Sequence, residues 1–158
     1  MTIQVGDRLP AGTLKIMSEK GPTDITIEEI TKGKKTVIFA VPGAFTPGCS
    51  MSHLPGFVVN ADTIKAKGVD VIACLAVNDA FVMGAWGKAQ NAEEIMMLAD
   101  GSADYTKVLG LELDATGFGM GVRSKRYAML VDDGKVTYLG IDAKDIEKSS
   151  ADAILAQL

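Results

Sequence analysis

Two runs constrain the fold more than anything else in this chain: "TVIFAV" at 36–41 and "VDVIACLAV" at 69–77. Each is an almost unbroken series of β-branched and apolar residues. A strand of this composition is buried on both faces, the situation of parallel strands in a sheet covered by helices on each side. Residues 46–67, between the two runs, read as a helix that ends at Gly68 after a lysine-bearing last turn. A strand–helix–strand unit places its two strands parallel and adjacent. The fold class is therefore α/β, with a central sheet flanked by helices.

The rest of the chain extends this pattern. Asn78 or Asp79 caps a helix across "AFVMGAWGKAQ", and "IMMLAD" (95–100) is a third short strand. "SADYTKVLG" (102–110) is a short helix ending at Gly110. "RYAMLVDDGKVTYLGI" (126–141) is a hairpin turning at Asp133–Gly134. Ser149 or Ser150 caps a last helix, "ADAILAQL". No repeat, low-complexity tract or linker interrupts the 158 residues, so residues 1–158 read as one domain.

Composition excludes several functions. The formal net charge of −4 is wrong for a sequence-independent nucleic-acid binder. No apolar run approaches the ~18 residues of a membrane span. The start, "MTIQVGDRLP", has no basic region followed by an apolar core, so no secretory signal is read and the expected location is cytoplasmic. Two cysteines make no disulfide scaffold in a chain of this length. Cys49, Cys74 and His53 are the only soft ligands and show no CxxC or HxxxH spacing, so neither zinc nor any cofactor is expected.

One of those cysteines sits in an unusual place. In "VPGAFTPGCSMSHLPGF" (41–57), Thr46 suits a helix N-cap and Pro47 the first helical position. Cys49 then falls in the first turn, near unpaired N–H groups and the positive end of the helix dipole, which favours thiolate over thiol. Pro42 stiffens the loop, and Gly43 and Gly48 let backbone approach a small ligand. Pro55 cannot donate to the carbonyl of Met51 and should kink the helix. These residues leave two readings open, a reactive thiol or a buried cysteine without chemistry. His53, four residues on, shares the helical face and fits packing or positioning better than direct chemistry. Cys74 lies in a central strand, where burial raises a thiol's pKa and makes it inert. Arg123 and Arg126 fall together in "GVRSKRYAML". A permanent cation at a strand end is able to stabilise a thiolate and a developing oxyanion. "GFGMG" (117–121) precedes a strand and lacks a following GK[ST], so it is no nucleotide loop.

The segment "PGAFTPGCSMSHLPGF" resembles the active site of peroxiredoxins, whose signature is PxxxTxxC; Pro42, Thr46 and Cys49 match it. The following "HLPGF" is similar to the type II, or peroxiredoxin-5-like, subfamily. "KAKGVDVIACLAVNDAFVMGAWGK" and "GVRSKRYAMLVDDGKV" resemble further blocks of that subfamily, so the likeness covers essentially the whole chain. The resemblance implies a thioredoxin-like fold with a mixed sheet, and a thiol-dependent peroxidase. It implies that Cys49 attacks a hydroperoxide and becomes a sulfenic acid. It assigns the family's active-site arginine to Arg123 and has the Thr46 hydroxyl accept from a helix N–H while donating to the thiolate or peroxide. It has the Gly48 and Cys49 amides receive the second oxygen, and Pro42 shield the thiolate.

The resemblance also implies a homodimer, with Phe45, Phe81 and the loop from Leu113 to Phe118 as candidate contacts. Some subfamily members carry a resolving cysteine before the last helix; here "KDIEKSSADAILAQL" has serines only. Cys74 matches a second cysteine of other members, but its expected burial disfavours it as the resolving thiol. The expected reductant is an external thiol, either glutathione with glutaredoxin, or thioredoxin. Two alternatives remain: a redox sensor or thiol exchanger of the same fold without sustained peroxide turnover, and a non-enzymatic chaperone or binding module in which Cys49 is structural.

Overall fold

In the computed structural model, which describes residues 2–158, the chain opens with β1 (Thr13–Ser18), β2 (Gly21–Thr26), α1 (Ile27–Thr31) and β3 (Lys35–Ala40). Next come a π-helical turn (Cys49–His53), α2 (Leu54–Ala66), β4 (Val71–Ala76), α3 (Ala80–Ala89) and β5 (Met96–Ala99). The chain closes with α4 (Asp104–Leu109), β6 (Glu112–Asp114), a 3-10 turn (Thr116–Phe118), β7 (Val122–Ser124), β8 (Arg126–Asp132), β9 (Lys135–Asp142) and α5 (Ala151–Leu155).

The two apolar runs form neighbouring central strands. β3 and β4 pair in parallel, with Phe39 opposite Cys74, and β5 continues the parallel set beside β4. β8 joins the other edge of β3 antiparallel, and β9 returns beside β8. The result is a mixed seven-stranded sheet in the order β2-β1-β5-β4-β3-β8-β9. The hairpin turn is Asp133–Gly134, both with positive φ (48° and 83°), the combination that matches strand twist and that glycine tolerates.

Side chains of β3 alternate between two cores. Val37 and Phe39 join Cys49, Leu54 and Phe57 of the helical segment, Met83 and Trp86 of α3, and Ile154 of α5. Ile38 and Ala40 face Ile27, Ile30, Tyr105 and Leu109 under α1 and α4. Every residue from Thr36 to Val41 is buried, as expected for a strand covered on both faces. The residues beyond the carboxyl end of β3 therefore emerge at the rim of the sheet, where the helix carrying Cys49 begins.

Two local expectations change. The helix after β3 begins at Pro47 and is not a simple α-helix through Pro55. It opens into the π turn, in which the Leu54 N–H bonds five residues back to the Cys49 carbonyl. The helix continues past Pro55 to Ala66, and such bulges recur at functional sites. The second change is an N-terminal hairpin, β1–β2, which polar alternation in "TLKIMS" and "GPTDIT" hides from a reading keyed to apolar runs.

Candidate active site

The site is assembled from four elements: the loop after β3, the first turns of the helix, the start of β8 and the segment before α5. The loop is braced from β4's side, where Asn78 Oδ1 accepts from the Ala44 N–H at 2.9 Å. Asp79, not Asn78, caps α3 by accepting from the Val82 N–H. Phe45 takes a left-handed conformation (φ 64°), uncommon for an aromatic residue. Its ring is more than half exposed and lies 6.5 Å from Trp86. Trp86 in turn donates from Nε1 to Ser50 Oγ at 2.9 Å, which ties the helix start to α3.

Thr46 stands at the N-cap position by its backbone: its carbonyl accepts the first intrahelical bond, from Ser50 N–H at 2.9 Å. The Gly48 and Cys49 N–H groups precede that bond and so have no partner within the helix. The Thr46 hydroxyl, however, does not accept from the helix. It donates to the Gly43 carbonyl at 2.7 Å, which closes the loop on itself and leaves the oxygen free to accept a hydrogen bond.

The thiol of Cys49 is fully buried, and its neighbour is a cation. Arg126 Nη2 donates to Cys49 Sγ at 3.3 Å. This corrects the expectation for Arg123. Arg126 is the first residue of β8, and strand alternation puts it on the face of Ala128 and Leu130, which belong to the core that holds Cys49. Arg123 lies in the separate two-stranded β6–β7 sheet, where its Nε donates to the Met120 carbonyl at 3.0 Å. Its guanidinium borders the loop at Gly43 and not the sulfur. The signal that separates the two arginines was present: counting by twos back from Leu130 reaches Arg126. Gly48 gives the guanidinium room here: a Cβ on it would come within 3.2 Å of Arg126 Nη2, which would have to shift by a few tenths of an ångström.

His53 completes the arrangement. It is buried against Phe39 and Phe57, which stack on each other with ring centroids 3.9 Å apart. Its Nε2 lies 2.7 Å from the Ser149 carbonyl and its Nδ1 2.9 Å from Arg126 Nη1. A carbonyl only accepts and a guanidinium only donates. The ring therefore carries its proton on Nε2 and offers the Nδ1 lone pair to Arg126. Burial holds the imidazole down at about 4; the Ser149 carbonyl opposes this and the Arg126 charge adds to it, so the ring is neutral at physiological pH. Arg126 forms no salt bridge among the described residues. It is thus oriented by a neutral acceptor, which leaves its positive charge uncancelled beside the sulfur.

Cys74 is fully buried in β4, and burial pushes its thiol well above the ordinary range. Both cysteines are free thiols. Phe118 is 85% exposed in the loop between β6 and β7. Pro42 is half-buried in the loop. Among the described residues no three His, Cys, Asp or Glu side chains cluster to hold a metal ion. No helix among them is long and apolar enough to cross a membrane.

The chain matches the Redoxin family over residues 4–155. It is 48% identical to Peroxiredoxin-2B of Arabidopsis thaliana, over 99% of this chain and 98% of that one. Among solved structures it is similar to reduced Prx3 of Vibrio vulnificus in complex with hydrogen peroxide, at 57% identity, TM-score 0.95 and 99% coverage of both chains. It is also similar to peroxiredoxin 5 of Alvinella pompejana, at 37% identity and TM-score 0.87, over 98% of this chain and 96% of that one.

Proposed function

Because the chain belongs to the Redoxin family and is a thiol-dependent peroxidase of the type II peroxiredoxin kind, we propose that Cys49 is its peroxide-reducing thiol, with Arg126 and Thr46 as its partners. The observation that carries this reading is the Arg126 guanidinium donating to Cys49 Sγ at a helix start with two unpaired amides. A charge-assisted donor suits an anionic sulfur. The thiolate attacks the terminal oxygen of the hydroperoxide. The new S–O bond forms as the O–O bond breaks; sulfur is oxidised by two electrons and the leaving alkoxide or hydroxide takes a proton to become alcohol or water. Charge develops on that leaving oxygen, and the Gly48 and Cys49 N–H groups and Arg126 are the donors available to it. The Thr46 Oγ1, whose own proton is taken up by the Gly43 carbonyl, accepts from the hydroperoxide O–H and orients it. Pro42 keeps the loop stiff and water out.

An external thiol restores the enzyme. It attacks the sulfenic sulfur, releasing water and leaving a mixed disulfide, which a second thiol resolves. The buried, high-pKa Cys74 supports this route over an internal one. Glutathione with glutaredoxin, or thioredoxin, supplies that chemistry. Exposed Phe45, Phe81, Leu113, Phe118 and Val122 give the apolar surface on which we place a homodimer contact.

A single turnover tests the assignment. Fully reduced protein mixed with one equivalent of hydrogen peroxide should change Trp86 fluorescence rapidly, since Trp86 is bonded to the turn that carries Cys49. A sulfenate trap should then label Cys49 alone. Label on Cys74, or a Cys49–Cys74 disulfide without label, would overturn the assignment or the external reductant respectively. Two smaller effects follow from the same geometry. Thr46→Val should slow peroxide reduction by about tenfold while Thr46→Ser stays near wild type, the scale of one lost polar contact in the transition state; equal rates for both variants would limit Thr46 to shaping the loop. Cys74→Ser should leave steady-state turnover with glutathione and glutaredoxin within about twofold, and lower stability by about 1–2 kcal/mol for placing a hydroxyl in an apolar strand. Loss of turnover in that variant would instead make Cys74 the resolving thiol.

A further inference from the structure

We infer that Asp142, which takes no part in the chemistry above, is a positioning residue for Arg126, acting through the backbone of Ser149 and the ring of His53. Asp142 ends β9 and is nearly buried. Its carboxylate receives four hydrogen bonds from the segment just ahead of α5. These come from the Glu147 N–H at 3.0 Å, the Lys148 N–H at 3.3 Å, the Ser149 N–H at 2.8 Å and the Ser149 hydroxyl at 2.7 Å. The same segment is pressed onto β9 at Gly140, where any Cβ would collide with the Lys148 carbonyl, and Tyr138 Oη donates to that carbonyl at 2.6 Å.

A turn clamped this firmly presents its next carbonyl in a fixed direction. That carbonyl belongs to Ser149, and it is the one that accepts from His53 Nε2 at 2.7 Å. The bond selects the ring's tautomer, and the tautomer decides what Arg126 meets. With the proton on Nε2, Nδ1 accepts from Arg126 Nη1 at 2.9 Å; with the proton on Nδ1, two donors would face each other and the guanidinium would swing from the sulfur. Burial works to raise the Asp142 carboxyl, but the Ser149 hydroxyl and the three amides outweigh it and hold it below the usual carboxylate range, so the clamp is ionised at neutral pH. The chain of contacts is continuous from Asp142 to Cys49, and none of its members is a surface ion pair. A carboxylate placed directly on Arg126 would also orient it, but would partly cancel the charge that faces the sulfur. Routing the constraint through a neutral ring keeps the anion at a distance.

The rate part of this inference rests on the peroxidase reading of Cys49; the tautomer part does not. His53 is the only histidine in the chain, so its ring nitrogens give unambiguous long-range ¹H–¹⁵N correlations. At neutral pH the wild type should show a single neutral ring protonated on Nε2. Asp142→Asn, which removes the charge and turns an amide donor toward the Lys148 N–H while its oxygen can still face the Glu147 and Ser149 donors, should show mixed tautomers and lower kcat/KM for hydrogen peroxide by about tenfold, the scale of a small misplacement of a catalytic group. In a His53→Asn background the same change should cost nothing further, because the path is already cut. A folded Asp142→Asn protein that keeps the Nε2–H ring overturns the inference, as does an equal rate loss in both backgrounds. If Asp142→Asn does not fold, Ser149→Ala removes only one of the four bonds and should move the tautomer ratio in the same direction, with a rate loss of about threefold; an unmoved ratio there overturns it too. A wild type with no peroxidase activity would sink the proposed function, while the tautomer measurement still decides the positioning.

Discussion

Replacing Arg126 with alanine should lower kcat/KM for hydrogen peroxide by about 10²–10³-fold, read under conditions where reduction by the external thiol is not limiting. The magnitude is that of removing one preorganised donor from a developing charge in a site closed to water. Three features of the geometry argue for the upper part of the range. Arg126 is the only charged group in hydrogen-bond contact with Cys49 Sγ among the described residues. Its orientation is fixed at the other nitrogen by His53, so little is spent on ordering it at the moment of reaction. No salt bridge neutralises it. Arg126→Lys should recover only part of the loss, since an ammonium cannot reach His53 and the sulfur with two nitrogens held in one plane. Arg123→Ala should cost less than Arg126→Ala by at least about tenfold, because Arg123 meets the Gly43 loop and not the thiol. Equal losses for the two arginines would restore Arg123 to the role that family resemblance gave it.

Strand alternation separates those two arginines once β8 is known to pack on the core of Cys49, and that packing is what the sequence does not state. The central strands were legible because burial on both faces leaves a composition, "TVIFAV" and "VIACLA", that few other structures tolerate. The thiol at a helix start was legible because Thr46 and Pro47 are strong local signals. The caps of α3 and α5 were legible to within one residue, Asn78 or Asp79 and Ser149 or Ser150, and the structure settles them at Asp79 and Ser150. What local signals do not carry is the meeting of elements distant in sequence. Arg126 reaches Cys49 across 77 positions and His53 reaches Ser149 across 96. Both contacts depend on which strand lies beside β3, and that order, with β8 from late in the chain next to β3, is a tertiary fact. The Thr46 hydroxyl is a different kind of miss. Threonine at an N-cap normally accepts from the helix, but here the tight loop brings the Gly43 carbonyl closer, and a short bond to it wins. The π turn is a third kind: Pro55 announces trouble for an α-helix, yet the sequence does not say whether the backbone will bend or widen.

Acidification should destabilise this protein through His53 alone over a window that most carboxylates do not share. In the unfolded chain the ring titrates at its ordinary 6.5; in the folded protein burial holds it down at about 4. Between those values the unfolded state binds more protons than the native state, so each step down in pH favours unfolding. The stability the neutral ring contributes is fully present above pH 6.5 and is lost progressively as pH falls toward 4. The shift corresponds to about 3 kcal/mol, a large share of the stability of a small domain. Denaturant midpoints across the window measure it, with His53→Asn as the reference. That variant should start less stable at neutral pH and show a flatter slope between 6.5 and 4, the two proteins converging at the acid end. Parallel slopes would mean that the folded ring takes up a proton freely. It would then have no lone pair for Arg126, and the neutral-acceptor account of the guanidinium would fail. Peroxide reduction should decline toward the acid end of the same window, because a proton on Nδ1 turns a donor toward Arg126 and loosens the cation that Cys49 needs. One ring thus links the fold's acid limit to the site's.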